Sequence, residues 1–178
     1  DHQVRAVEEA EKAIIAGKKS ILLAMATGTG KTRVALALIY RLLSADRFHR
    51  ILFLVDRNFL GEQAEEKFTE VKLKDFLALN QIFPIKKMGE KGFDPETRLK
   101  ITTVQSMVRQ ILGDDTNVSI SDYDLIIVDE AHRGYFLDKE MADAEILYRD
   151  EADYLSKYRQ VIDYFDAVKI GLTATPAL

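Results

Sequence analysis

The chain has 178 residues, 47% hydrophobic and 30% charged, with nine Gly and three Pro. It is too apolar for a disordered tail, too mixed for a fibrous repeat, and long enough to bury about 70% of its unfolded surface around one core. Cysteine is absent, which excludes a disulfide scaffold, a cysteine-based metal or iron–sulfur site and a thiol nucleophile, and fits a reducing cytoplasm. A net charge of −4 argues against coating nucleic acid by bulk electrostatics, though local backbone contacts stay open.

No apolar run approaches the roughly 18 residues of a membrane span, so no membrane partner is expected. The first residues, Asp1-His2-Gln3, hold neither an initiator Met nor a basic leader, so the chain is expected to be cut from a longer protein.

Apolar residues Val4, Val7, Ala10 and Ile14 recur at three- and four-residue steps and predict a helix to Ile15, with Gly17 at its C-terminal cap. Ile21 to Ala26 reads as a strand buried on both faces, closed by Thr27-Gly28-Thr29-Gly30, after which Lys31 to Leu43 reads as a helix. The order repeats: a strand over Ile51–Val55, a helix over about 58–68, a strand over Leu99–Thr102, a helix over Val104–Leu112, then strands over Leu125–Val128 and Val168–Leu172. Residues 72–98 leave room for one more short strand near Gln81–Ile85, 113–122 reads as a polar loop, and the acidic stretch 138–166 reads as one or two helices. The tyrosines of that stretch, Tyr148, Tyr154, Tyr158 and Tyr164, read as packing residues rather than a base-stacking platform. Doubly buried strands alternating with helices imply a largely parallel sheet covered on both sides.

Thr27-Gly28-Thr29-Gly30-Lys31-Thr32 lies between strand and helix, the context a phosphate-binding loop requires. Glycines let successive N–H groups turn toward phosphate oxygens, and the following helix adds its positive end. Lys31 is expected to reach the β- and γ-phosphates and the Thr32 hydroxyl to ligate Mg²⁺. The strict pattern asks for Gly where Met25 stands; a dinucleotide fingerprint fails because Arg33 occupies its third glycine position. A nucleoside triphosphate is the better ligand.

Leu125-Ile126-Ile127-Val128-Asp129-Glu130-Ala131-His132 ends a buried strand in two acids. In a parallel sheet that end lies on the edge where the phosphate loop opens, so Asp129 can hold the Mg²⁺ shell and Glu130 can polarise the attacking water.

Together these elements resemble motifs I and II of superfamily 2 helicases and translocases of the Asp-Glu-Ala-His box group, many of which carry Met-Ala-Thr-Gly-Thr-Gly-Lys-Thr at motif I. Gln3 matches the adenine-reading glutamine upstream of that motif. Phe53-Leu54-Val55-Asp56-Arg57 looks like motif Ia, Ile101-Thr102-Thr103-Val104-Gln105-Ser106-Met107 like motif Ib, and Gly171-Leu172-Thr173-Ala174-Thr175-Pro176 like motif III. More narrowly, His132-Arg133-Gly134-Tyr135-Phe136-Leu137-Asp138, Tyr148-Arg149-Asp150 and the stretch from Tyr164 to Leu178 resemble the restriction (motor) subunit of type I restriction-modification enzymes.

The resemblance implies a three-layered α/β RecA-like domain spanning residues 1–178, the first of two motor lobes, with the second lobe and an upstream nuclease domain lying outside this chain. It implies ATP with Mg²⁺, double-stranded DNA, and modification and specificity subunits as partners. His132 is implied to face motif III, whose Thr173 and Thr175 couple the nucleotide state to DNA contacts. Arg57, Thr102, Thr103 and Gln105 are implied to touch the DNA backbone, a mode that needs no broad basic patch. No Asp followed by Glu-x-Lys is found: Asp94-Pro95-Glu96 runs into Thr97-Arg98, so nuclease chemistry is not expected here. Rival readings are another superfamily 2 DNA or RNA helicase, and a nucleotide-dependent docking module without turnover.

Overall fold

The computed structural model describes residues 2–26, 28–55, 72–73, 77–86, 96–112, 118–129, 131 and 158–174. In chain order these form α1 (His2–Ile15), β1 (Ser20–Ala24), α2 (Lys31–Ser44), β2 (Ile51–Val55), β3 (Lys72–Leu73), β4 (Leu77–Ala78), α3 (Leu79–Ile82), β5 (Ile85–Lys86), β6 (Leu99–Thr103), α4 (Val104–Leu112), β7 (Leu125–Val128) and β8 (Val168–Thr173). Residues 158–164, which precede β8, are helical and are called α5 below.

Six strands make one sheet in the order β1-β8-β7-β2-β6-β5, and every neighbouring pair is parallel. Side chains alternate between the faces because the strand period is two residues. Ile51, Phe53 and Val55 of β2 join Val7, Ala10 and Ile14 of α1 and Val34, Leu38, Ile39 and Leu42 of α2 in one core. Leu52 and Leu54 of the same strand join Met107, Val108 and Ile111 of α4 and Val161 of α5 in a second core on the opposite face. The fold is therefore three-layered, helix–sheet–helix, as the doubly buried strand sequences require.

Helix ends follow local chemistry. Gly17 takes φ +76° after α1, where its N–H donates to the Ile14 carbonyl at 3.0 Å and that of Lys18 to the Ala13 carbonyl at 3.0 Å. This paired arrangement closes the helix and favours glycine at the left-handed position. Thr103 caps α4, its hydroxyl oxygen accepting the Ser106 N–H at 3.2 Å.

The end of the sheet opposite the strands' carboxyl termini is fastened by side chains. The Asp124 carboxylate accepts the N–H groups of His49 and Arg50 at 2.7 and 3.0 Å. Arg98 donates to the carbonyls of His49 and Phe48 and to the Asp46 carboxylate. Nearby, Tyr123 meets Phe165 edge-on at 5.3 Å, and burial, reinforced by the Asp122 charge, pushes its phenol above the ordinary tyrosine range. Tyr158 and Tyr164 serve packing as expected: Tyr158 is buried, and Tyr164 donates its O–H to the Val118 carbonyl at 2.6 Å.

Two expectations are corrected. The first strand ends at Ala24 rather than Ala26, because the chain turns into the glycine loop while the Met25 N–H still bonds the Thr173 carbonyl at 2.8 Å, and as an edge strand it is not buried on both faces, with Leu22 exposed. The extra strand near Gln81–Ile85 lies instead at Ile85–Lys86; Leu79–Ile82 is helical, and Pro84, which lacks an N–H, offers its carbonyl to Arg98 and Leu99. The helix expected over about 58–68, the loop residues 113–117, and Tyr148 and Tyr154 lie outside the described residues. No described helix is long and apolar enough to cross a membrane.

Candidate functional site

Between β1 and α2 the backbone adopts a conformation that glycine makes accessible. Gly28 has φ +78° and Gly30 φ +90°, the left-handed region that side-chain-bearing residues avoid. Thr29 between them is tied down on several sides. Its hydroxyl donates to the Ala26 carbonyl at 2.6 Å and its N–H to the same oxygen at 3.2 Å. Its own carbonyl accepts the Gln3 side-chain amide at 2.7 Å and faces His2 Nε2 at 3.2 Å.

Helix α2 begins directly after Gly30, with no side chain capping it and no acid in its first turn. Its positive end thus faces the loop without an acid to neutralise it. Lys31 and Thr32, both half-buried, occupy the first two helical positions. A Cβ on Gly28 would meet nothing within 4 Å, so space beside the loop is open. A cavity of about 420 Å³ adjoins it, lined by His2, Arg5, Glu9, Met25 and Thr29 among others.

The parallel register levels the carboxyl ends of the strands. Ala24 pairs with Thr173, Gly171 with Val128, Val128 with Leu54, and Val55 with Thr103. The loop after β1, the acid after β7 and the threonine ending β8 consequently share one edge. Asp129 is 6% exposed and its N–H donates to the Leu54 carbonyl at 2.9 Å. Thr173 is buried, and its carbonyl holds Met25 at the start of the loop.

Sequence reading missed the contact that seats the acidic turn. A Cβ built on Gly171 would lie 2.8 Å from the Ala131 methyl and 3.1 Å from Leu22 Cδ1, so β8 must be bare there for Ala131 to pack against it. The available signal was a glycine in the interior of a strand, which marks close approach.

The structure thus gathers Gln3, Gly28, Thr29, Gly30, Lys31 and Thr32 at the loop, with Asp129 and Thr173 on the same edge. Thr27, Arg57, Glu130, His132 and Thr175 lie outside the described residues. Among the residues expected to face DNA, Thr102 is buried at 1% exposure on the α4 side of the sheet, which leaves its backbone rather than its hydroxyl for such a contact. Alternation along β6 dictates this, since Leu99 and Ile101 take the opposite face. Thr103 uses its hydroxyl oxygen as the α4 cap, and Gln105 holds a buried Oε1 without a hydrogen-bond partner.

A parallel sheet with a glycine loop opening at one strand end and a buried acid two strands away defines a phosphate-binding-loop, nucleotide-using domain of the helicase-like ATPase class. The chain belongs to the family described as "Type III restriction enzyme, res subunit", which it matches over residues 1–178. It is 51% identical over 177 residues to the type I restriction enzyme EcoKI endonuclease subunit of Escherichia coli K12, covering 99% of this chain and 15% of that protein. With the EcoAI endonuclease subunit of Escherichia coli it shares 33% identity over 182 residues, 98% of this chain and 19% of that protein. It therefore spans less than a fifth of these relatives.

Among solved structures, the SWI2/SNF2 ATPase core of Sulfolobus solfataricus, determined with double-stranded DNA, matches with a TM-score of 0.67 at 17% identity, over 98% of this chain and 31% of that one. The Hef helicase domain of Pyrococcus furiosus matches at 0.56 and 22% identity, over 97% and 33%. These likenesses establish the RecA-like fold that the sequence predicted.

Proposed function

We propose that this chain is the first motor lobe of a type I restriction enzyme's restriction subunit, binding ATP with Mg²⁺ and coupling hydrolysis to translocation of double-stranded DNA ahead of cleavage. The observation that carries the reading is the shared carboxyl edge: an uncapped helix behind a glycine loop, with buried Asp129 brought level by the β8 register. The identity to type I endonuclease subunits over nearly the whole chain supports it.

The residues present suit a triphosphate and its magnesium. Loop amides and the α2 N-terminus bind phosphate oxygens, Lys31 neutralises the terminal phosphates, and Gln3, hydrogen-bonded to Thr29 of the loop, is the residue to read the base. Thr32 and Asp129 are a hydroxyl and a carboxylate, the hard oxygen donors that Mg²⁺ takes alongside phosphate and water. Bound there, the metal would neutralise negative charge on the phosphates. Glu130 accepts the proton of the attacking water, while His132, Thr173 and Thr175 connect the edge to DNA contacts. Arg57, Thr102, Thr103 and Gln105 are the candidates for contact with the DNA backbone. A second lobe of the same polypeptide, an upstream nuclease domain, modification and specificity subunits, and a cytoplasmic setting complete the proposal.

The test is ATP turnover by the intact polypeptide with long duplex DNA, RNA or neither. Stimulation by duplex DNA alone supports the motor reading, whereas stimulation by RNA favours another superfamily 2 helicase. Glu130→Gln separates a motor from a docking module: it should bind ATP as wild type does yet lose about 10²–10⁴-fold in turnover, and unchanged activity would remove the water-activating role.

A further inference from the structure

We propose that Gln3 is a positioning residue for the phosphate loop, locking the Thr29–Gly30 peptide in the orientation that triphosphate binding needs, whatever base the nucleotide carries. The inference rests on the nucleotide reading above and assigns Gln3 a task separate from reading adenine.

The case begins with the peptide unit. No peptide among the described residues is cis, so the Thr29 carbonyl and the Gly30 N–H belong to one planar trans unit and point in opposite directions. Fixing one fixes the other. The Thr29 carbonyl is held by the Gln3 amide at 2.7 Å, with His2 Nε2 at 3.2 Å as a second neighbour from the same turn of α1. The Gly30 N–H, one of the amides a phosphate-binding loop presents, is thereby aimed away from Gln3.

Something must hold this peptide, because the backbone around it is permissive. Gly28 and Gly30 both occupy positive φ, and glycine crosses between the halves of its conformational map at little cost. Rotating the Thr29–Gly30 plane would turn the carbonyl toward the anion and the N–H away from it. The bonds from Thr29 to Ala26 fix only the preceding side of the unit.

Steric fit gives a second, independent sign. A Cβ on Gly30 would collide with the Gln3 side-chain amide, so Gln3 fills the space that the glycine leaves vacant. The same amide thus bonds one residue of the loop and packs on the next. Helix α1, buried through Val7, Ala10 and Ile14, supplies a rigid base for it.

Tripolyphosphate, which has no base, tests the inference in the intact polypeptide by competition against a fluorescent ATP analogue with Mg²⁺. Loss of one such hydrogen bond corresponds to about a tenfold change in affinity. Gln3→Ala should weaken tripolyphosphate about tenfold, and Gln3→Glu, which keeps the shape but gives the carbonyl no N–H, should do the same. The ATP-to-GTP preference, measured in parallel, reports any base-reading role separately. Gly30→Ala in both backgrounds closes a double-mutant cycle: its penalty on tripolyphosphate should be smaller beside Gln3→Ala, because the collision is gone while the φ strain is common to both.

Equal tripolyphosphate affinity in wild type and both Gln3 variants, a failure of wild type to bind it included, overturns the positioning role. So does an additive cycle, and so does weakening that merely tracks a lowered urea midpoint. If wild type shows no Lys31-dependent binding of ATP, the nucleotide reading itself falls, an outcome distinct from the others.

Discussion

Ala131 rests on the bare α-carbon of Gly171, where an added methyl would lie 2.8 Å from its own. The pair joins the turn after β7 to the middle of β8, so the seat of the acidic box is shaped by an absent side chain. Gly171→Ala should lower ATP turnover by displacing that turn and cost about 1–3 kcal/mol in urea denaturation. Adding Ala131→Gly, which moves the methyl from one partner to the other, should recover much of both losses. Denaturation midpoints and turnover on the two variants check it.

Lys31→Ala should abolish detectable ATP binding with little change in stability, since the residue is half-buried at a helix start rather than in either core. Calorimetric titration alongside thermal melting checks both halves. Equal affinity in wild type and variant would remove the phosphate-loop assignment.

The 178-residue chain, purified alone, is expected to hydrolyse ATP at background. In two-lobed motors the second lobe contributes an arginine that stabilises transition-state charge and is worth about 10³–10⁵ in rate. A DNA-stimulated turnover of several per second by this chain would contradict the division of labour.

Thr103→Ala should cost about 1 kcal/mol by removing the hydroxyl that caps α4. Thr103→Ser keeps the oxygen and should restore stability. If the residue also meets DNA, binding to duplex should fall in the alanine variant by more than the loss of stability explains, a comparison that fluorescence anisotropy supplies.

Alkaline stability should depend on Tyr123. Its folded pKa is raised by burial and then by the Asp122 charge, so the folded state holds the phenolic proton more tightly than the unfolded chain does. Its contribution is fully present below about pH 10, the ordinary tyrosine value, and is lost as pH rises above it toward the folded value. Urea midpoints between pH 9 and 11 should fall more steeply for wild type than for Tyr123→Phe.

Much of the fold was legible because its signals are local. Ile51–Val55 and Leu125–Val128 are strands buried on both faces, and their sequences are uninterrupted apolar runs. Gly17 announced the end of α1 by the same logic. The phosphate loop was legible because glycine spacing between strand and helix encodes backbone shape directly. Thr102 was not, since its burial follows from the face that Leu99 and Ile101 leave to it, and motif resemblance carries no parity. The Gln3–Thr29 bond and the Ala131–Gly171 contact were hidden for another reason: both join segments far apart in sequence, and only the assembled sheet and helices bring them together. Strand order belongs to the same category.

That strand order has a consequence for how the protein is made. The last described strand, β8, lies between the first, β1, and the rest of the sheet. On the ribosome β1 and its glycine loop emerge before β8, and their pairing edge stays open until the intervening strands and helices have followed, an interval on the order of ten seconds at about 5–20 residues per second. The edge that carries the glycine loop is therefore completed only once β8 has been made, and Ser20–Ala24 is the segment that a chaperone would find exposed meanwhile.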